Sequence, residues 1–143
     1  MPALEETRRA NVELVDRLFT LSNRCAIGDA SAMSELLACY HEDARVQSVL
    51  DDVPGDGRAV DLIRRYFEGV REKCYLWVIY ADELQQHGDR VVALGGLRTV
   101  DRDSHEDAER TVGWVFEVRD RKVCAVRGYP AYTDAIAAAR KRD

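Results

Sequence analysis

The side chains that most often carry acid–base chemistry are sparse in this sequence. His41 precedes the carboxylate pair Glu42 and Asp43 at the start of an apolar stretch, a spacing that would suit a general base with an acidic partner. A solvated histidine at a helix end, followed by turn carboxylates, explains the same residues without any chemistry. The other two histidines, His87 and His105, stand in turn-rich segments, and no H-E-x-x-H spacing occurs. We therefore expect no metal site, and the catalytic groups stay unknown.

Thiols offer no clearer chemistry. The four cysteines lie far apart, without a C-x-x-C pair, and each stands within an apolar pattern. Buried, reduced cysteines behave as small hydrophobic residues. We expect that role, and no cofactor, for Cys25, Cys39, Cys74 and Cys124.

The composition is that of an ordinary globular domain with an acidic balance. Of 143 residues, 46% are hydrophobic and 33% are charged, and the formal net charge is -5. A nucleic-acid-binding surface needs clustered Lys and Arg, so we expect no nucleic-acid partner. The short basic run at 140–142 follows an Ala-rich segment, where it would complement a helix dipole.

The first residues and the hydropathy pattern bear on location. Residues 1–13 are charged and lack the apolar segment of a signal peptide. No apolar stretch approaches about 18 residues, the length that a membrane span needs. The expectation is a cytoplasmic protein without a membrane partner.

Helical periodicity dominates the first half of the chain. An apolar stripe that includes Leu14, Leu18 and Leu21 indicates a first helix, and Asp29 or Ser31 would cap a second one. Tyr40 continues the apolar pattern of that second helix. The predicted helices span about 5–26, 29–38, 58–71 and 133–140.

After residue 73 the hydrophobic period changes from 3.6 to 2, which is typical of strands. The pair Gly95-Gly96 predicts a bulge or a sharp bend. Helices first and hairpin-linked strands afterwards favour an α+β fold, as one domain over 1–143 with its core at about 5–140. The predicted strands span about 44–49, 75–86, 90–100, 110–118 and 122–129.

Several short motifs, in this order, resemble the SnoaL-like or nuclear-transport-factor-2-like (NTF2-like) superfamily, which includes ketosteroid isomerases. The motifs are Gly28-Asp29, Leu36-Leu37, residues 40–46 (YHEDARV), Gly57 before 62–67 (LIRRYF), 88–92 (GDRVV) and 120–123 (DRKV). The resemblance implies a cone-shaped, curved antiparallel or mixed sheet with three helices from the N-terminal half, which together enclose an apolar pocket. It implies no single function, because members include isomerases, polyketide cyclases, epoxide hydrolases, dehydratases and binding modules without activity.

The residues of ketosteroid isomerases are missing under a local alignment to that family. The aspartate base falls on Ser48, the tyrosine donor on Leu21 and the protonated aspartate on Trp114. The resemblance to limonene-epoxide-hydrolase-like members fails similarly, because Arg98 is followed two residues on by Val100 instead of aspartate. The last strand carries no carboxylate, which also removes the acid or base of SnoaL-like cyclases.

The same alignment, with strand alternation, predicts which side chains line the pocket. It places Trp114 there with Val112 and Phe116, and it adds Ser48, Tyr66 and Trp77 as neighbours. From the remaining strands it places on the pocket face Val92, Leu94, Gly96, Arg98, Val126 and Gly128.

Arg98 is the sharpest single candidate in this set. Buried, it would hold a ligand carboxylate or phosphate. Alternatively it lies at the pocket mouth and pairs with Asp82, Glu83 or an acidic loop residue, which is the commoner fate of arginine. Trp77 and Trp114 could stack on a flat ligand or simply belong to the core.

The opposite, convex face would then be small and apolar, and such a face usually marks an interface. We therefore predict a homodimer through the convex face of the sheet. Its residues would be Val91, Ala93, Gly95, Leu97, Val115 and Ala125.

Two classes of function fit these expectations. One is a SnoaL-like protein that binds a small, largely apolar, polyketide-, steroid- or terpenoid-like molecule without the standard isomerase or epoxide hydrolase residues. The alternatives are a non-catalytic module for dimerisation or partner binding, or an isomerase, cyclase or dehydratase with an atypical residue set.

Overall fold

A computed structural model describes the backbone of residues 2–47 and 59–141, and the side chains of these ranges from residue 4 onward. Residues 48–58, which include the end of the first predicted strand, lie outside the described residues. In the described part of the chain, no helix is both long and apolar enough to cross a membrane.

Four helices form where the 3.6-residue period predicts them. The first, α1, buries the side chains of Val15, Leu18 and Cys25 along one stripe. Asp29 caps the second helix by accepting hydrogen bonds from the backbone N–H groups of Ser31 and Ala32. The helices span α1 Pro2–Ala26, α2 Ala30–Ala38, α3 Ala59–Lys73 and α4 Tyr132–Arg140.

Five strands form a single sheet in the spatial order β1-β5-β4-β3-β2. The pair β1 and β5 is parallel, and the other three pairs are antiparallel, so the sheet is mixed. The predicted α+β class is therefore confirmed. The strands span β1 Tyr40–Gln47, β2 Cys74–His87, β3 Arg90–Asp101, β4 Asp107–Arg119 and β5 Lys122–Tyr129.

The predicted irregularity at Gly95-Gly96 lies where β2 and β3 change register. The shift falls between Ala81 and Glu83 on β2, opposite Gly95. A Cβ atom on Gly95 would overlap the backbone carbonyl of Tyr80, so only glycine fits this close approach.

The sheet is covered on both faces. On one face, α1, α2 and α3 pack against the sheet, chiefly on β1, β2 and β3, and enclose the main core with side chains from all five strands. On the other, α4 packs on Val92, Leu94 and Val115 through Ala135 and Ala139. The helix approaches closely because β4 has a glycine there: a Cβ on Gly113 would lie 2.6 Å from the Cβ of Ala135. Hence β3 is buried from both sides.

Candidate functional site

A cavity of about 120 Å³ lies between the three N-terminal-half helices and the inner face of the sheet. The helices contribute mainly apolar side chains from their buried stripes, and β2 and β4 contribute alternate residues. Its lining consists of Leu18, Phe19, Ser22, Leu36, Tyr40, Val46, Gln47, Leu62, Ile63, Tyr66, Phe67, Trp77, Ile79, Leu97, Val112, Trp114, Phe116 and Val126.

Two pairs of aromatic rings line the cavity. The rings of Phe19 and Trp114 pack edge to face, and their centroids are 4.9 Å apart. Phe67 and Trp77 pack in the same geometry at 5.3 Å. Such edge-to-face pairs fix ring orientation, so the walls present a defined apolar surface.

Few polar groups reach the cavity, and one pair is already joined. The indole Nε1 of Trp77 donates a hydrogen bond to the hydroxyl oxygen of Tyr66 over 3.1 Å. Ser22 and Tyr40 add two more hydroxyl groups, and Gln47 adds an amide. Burial raises the pKa of the Tyr40 hydroxyl, so it keeps its hydrogen at neutral pH.

No ionisable carboxylate, histidine, lysine or arginine occurs among the described lining residues. A charged molecule entering this cavity would lose its hydration without gaining an opposite charge. Nor do the described residues contain a cluster of His, Cys, Asp or Glu that could hold a metal ion. The cavity as described is therefore suited to a neutral, mainly apolar molecule.

Arg98 lies away from the cavity. Its Nε and Nη2 donate to the two carboxylate oxygens of Asp107 over 3.2 and 2.8 Å, and about half of its side chain is exposed. The partner is an acidic residue between the predicted strands 90–100 and 110–118, and the structure assigns it to the start of β4. Arg98 therefore pairs with an acidic residue, as the second alternative predicted, and the expectation that it lines the pocket is wrong.

Leu94 is also misplaced in the prediction, and for the same reason. Trp114 stands directly opposite Ala93 in the register of β3 and β4, so these two residues share the inner face. Leu94 points to the outer face and packs with Val92 against α4. The local alignment was shifted by one residue along β3, and such a shift moves every side chain of a strand to the opposite face.

Five other residues that were predicted for the pocket do line the cavity, and one lies outside the described part of the chain. The lining includes Tyr66, Trp77, Trp114, Phe116 and Val126. Ser48 lies outside the described residues.

Sequence reasoning did not assign to the pocket several residues that line the cavity, among them Ser22, Tyr40 and Leu97. Tyr40 was assigned to the second helix, whereas it opens β1 and pairs with Val123. Leu97 was placed on the outer face by the same shift that misplaced Leu94. Ser22 could have been found, because it stands one turn after Leu18 on the buried stripe of α1.

His41 and its neighbours contribute nothing to the cavity. The Nε2 of His41 lies 2.7 Å from the backbone carbonyl oxygen of Arg119, to which it donates in the exposed hairpin region. Glu42 and Asp43 are exposed on β1. The geometry therefore fits the interpretation in which His41, Glu42 and Asp43 carry no chemistry.

The outer face of the sheet differs from the small apolar surface predicted for it. Val91, Ala93 and Leu97 belong to the inner core, and α4 covers Val115. Charged residues occupy much of the remaining surface: Glu117 pairs with Arg90 at 3.1 Å and with Arg45 at 3.6 Å. The homodimer stays a prediction, without the apolar patch from which it was argued.

No protein-family model matches this chain. No curated protein matches it either. Solved structures do: an NTF2-like protein of unknown function from Burkholderia pseudomallei superposes with a TM-score of 0.70 at 16% identity, covering 92% of this chain and 98% of that one. The chain has the NTF2-like fold. A Jannaschia sp. CCS1 protein described by its likeness to SnoaL polyketide cyclases gives a TM-score of 0.68 at 16% identity, with 95% of each chain covered.

A third solved structure that superposes on this chain was determined with an organic compound. TerC, co-crystallised with polyporic acid, superposes with a TM-score of 0.69 at 14% identity, over 92% of this chain and 99% of that one. The fold that the sequence motifs predict is thus confirmed by the solved structures. Because these identities are low, the chemistry of the cavity has to be derived from the residues of this chain.

Proposed function

We propose that this protein binds a small, neutral, ring-containing molecule in the cavity between its helices and its sheet. The observation that supports the proposal most is the uncharged lining, in which aromatic and aliphatic walls surround a few hydroxyl and amide groups. An apolar pocket with a small number of placed polar groups is the usual form of a small-molecule site.

The volume restricts the size of the proposed ligand. An engineered apolar cavity of roughly 150 Å³ binds benzene, and the described residues here enclose about 120 Å³. The proposal therefore narrows from polyketide-, steroid- or terpenoid-like molecules to compounds with about one ring. The likeness to TerC, which was crystallised with polyporic acid, supports the use of this fold for an organic ligand.

The proposal is one of binding, without proton transfer by a side chain of the described lining. General acid–base catalysis needs a group whose pKa lies near the operating pH. Tyrosine is the only ionisable oxygen acid that the described residues offer to the cavity, and burial moves the pKa of Tyr40 away from neutrality.

Filling the cavity from α1 tests the proposal. Ser22→Leu would place a larger apolar side chain in the space, whereas Thr20→Leu makes the same addition on the exposed side of α1. Benzene at a hundredfold excess over its dissociation constant should raise the free energy of unfolding of the wild type by ~2.7 kcal/mol. We expect the same increase in Thr20→Leu and none in Ser22→Leu, measured by urea unfolding with and without benzene.

Two results would count against the proposal. If benzene and other one-ring probes leave the unfolding free energy of the wild type unchanged at saturating concentrations, nothing enters the cavity. Equal stabilisation of both variants would mean that the probe binds elsewhere. If Ser22→Leu fails to fold, the smaller change Val112→Ile fills part of the same space.

A further inference from the structure

A second concave surface, the outer groove, lies on the outer face of the sheet between α4 and the edge strand β1. The described residues that line it enclose about 780 Å³, and small-molecule sites usually measure roughly 300–1,000 Å³. Its floor is formed by outward-facing residues of β4 and β5, and Ala138 of α4 forms part of one wall. The outer groove meets the inner cavity around the end of β1, where both are lined by Val46, Gln47, Leu62 and Val126.

The outer groove is a positively charged region of an acidic protein. The whole chain has a formal net charge of -5, but the described lining of the groove carries more cations than carboxylates. A local excess of one sign attracts ligands of the opposite sign, so the groove favours an anion, in contrast to the uncharged inner cavity. The cations of the lining are Arg45, Arg90, Arg127 and Lys141, and its carboxylates are Asp43 and Glu117.

Two of these cations are already paired. Glu117 lies 3.1 Å from Arg90 and 3.6 Å from Arg45, nitrogen to oxygen. Arg127 and Lys141, in contrast, form no ion pair with any residue in the described ranges. These two side chains therefore supply the charge that is left for a ligand.

The position of Arg127 is fixed by an aromatic ring. The central carbon of its guanidinium group lies 4.9 Å from the centroid of the Tyr129 ring, within the range of a cation–π contact. The ring covers one side of the guanidinium plane and leaves the N–H groups at its edge available. This planar fork matches the two oxygens of a carboxylate.

Apolar side chains border Arg127 in the outer groove. Val115 stands directly beside it in the register of β4 and β5, and Ala125 and Ala138 also line the groove. Such groups gain free energy by contact with an apolar ring and gain none from a bare ion. The lining therefore suits a ligand that has both an anionic group and an apolar body.

We propose that the outer groove is a second binding site, which takes a small organic carboxylate with an apolar ring. The carboxylate accepts hydrogen bonds from the guanidinium group of Arg127, and the ring lies on Val115 and the neighbouring alanines. Lys141 adds attraction for the anion from the side of α4. This site goes beyond the proposed function, because it binds the charged molecules that the lining of the inner cavity disfavours.

The test compares benzoate with benzamide, its neutral isostere, by NMR titration of the backbone amides. We expect benzoate to shift the amides of Ala125 and Arg127 and to bind more tightly than benzamide. Arg127→Gln should weaken benzoate binding by roughly three- to tenfold, as expected for an exposed ion pair. Arg127→Lys keeps the charge without the planar fork and should lose part of that affinity. Arg64→Gln makes the same change of charge on the exposed side of α3 and should stay within about twofold of the wild type.

Four results would overturn the proposal. Equal binding of benzoate and benzamide by the wild type would show that the groove does not recognise the charge, and this comparison needs no variant to fold. Unchanged benzoate affinity in Arg127→Gln would remove Arg127 from the site. Inorganic phosphate that binds as tightly as benzoate would refute the apolar half of the ligand. Benzoate shifts confined to the amides of Leu97 and Val112 would place the anion in the inner cavity, and would contradict the neutral ligand class proposed there as well.

Discussion

The indole nitrogen of Trp77 donates a hydrogen bond to the hydroxyl oxygen of Tyr66 over 3.1 Å, and this bond joins β2 to α3 at the cavity wall. Only 7% of Trp77 is exposed, so its N–H group has little access to water. The ring of Phe67 packs edge to face against both partners, with centroids 5.2 Å from Tyr66 and 5.3 Å from Trp77. The bond therefore fixes the position of one wall.

Removal of this acceptor should destabilise the protein. Tyr66→Phe keeps the ring but leaves the Trp77 N–H group buried without its partner, at a cost of about 1–3 kcal/mol in the free energy of unfolding. Urea unfolding monitored by tryptophan fluorescence measures the loss. Tyr129→Phe, on the outer side of the sheet, should stay within ~0.5 kcal/mol of the wild type. An unchanged urea midpoint for Tyr66→Phe would show that Trp77 does not depend on this bond.

Leu97 and Leu94 offer a matched pair on one strand. Both are 5% exposed on β3, but Leu97 lines the cavity and Leu94 packs against α4. Each change to Ala should cost about 2–5 kcal/mol in unfolding free energy, since each removes buried methyl groups. Only Leu97→Ala should alter the affinity for a one-ring probe, measured by calorimetry. A changed affinity in Leu94→Ala alone would mean that the faces of β3 are reversed.

The helices and strands of this fold follow from periodicity. The stripe on α1 repeats over several turns, and alternation begins at the start of β2, so both elements were predicted close to their observed bounds. Trp114 and Phe116 were predicted to face the pocket, and both line the cavity. One assumed orientation on β4 was enough for that, because alternate residues on one strand share a face.

The face of β3 could not be predicted from its residues. From Val91 to Leu94 every side chain is buried, because helices cover both sides of this strand. Without a polar alternation, the sequence is compatible with either face, and pairing with Trp114 decides it. Tyr40 was missed for a different reason: it follows Leu36 by four residues, which imitates another helical turn.

Arg98→Ala tests the position of this side chain outside the cavity. The affinity for benzene should stay within about twofold of the wild type, because the ion pair with Asp107 lies on the exposed outer face. The guanidinium lowers the pKa of Asp107, so the variant should raise that pKa toward the ordinary value of about 3.9. Carboxyl NMR titration measures it. Asp101 is the internal control, because the N–H groups of Ser104 and Asp103 lower its pKa instead. Loss of benzene binding in Arg98→Ala would show that Arg98 does contribute to the cavity site.

Asn23 holds α1 to the edge strand β2 through two hydrogen bonds. Its Oδ1 accepts from the N–H of Ile79 over 2.8 Å, and its Nδ2 donates to the carbonyl of Ile79 over 2.9 Å. The side chain thus satisfies backbone groups at the edge of the sheet. Asn23→Ala should cost about 1–3 kcal/mol in unfolding free energy and speed hydrogen exchange of the Ile79 amide. Thr20→Ala, on the exposed side of α1, should change neither quantity. Unchanged exchange at Ile79 would show that the edge is protected by other means.

Asp29 should make the stability of the protein depend on acidity. Its carboxylate accepts hydrogen bonds from the Ser31 hydroxyl, from Arg24 and from the backbone N–H of Ala32, which together lower its pKa to about 2. The unfolded chain has a pKa of about 3.9 at this residue. Because the folded pKa is the lower one, the contribution of the Asp29 carboxylate to stability is complete above the unfolded pKa and disappears as the pH falls toward 2.

Asp29→Asn keeps an acceptor for the helix cap but cannot titrate. The wild type should therefore exceed this variant in thermal midpoint at pH 7, and the difference should shrink between pH 4 and pH 2. A difference that stays constant over that range would show that the loss comes from the cap geometry alone and not from the charge.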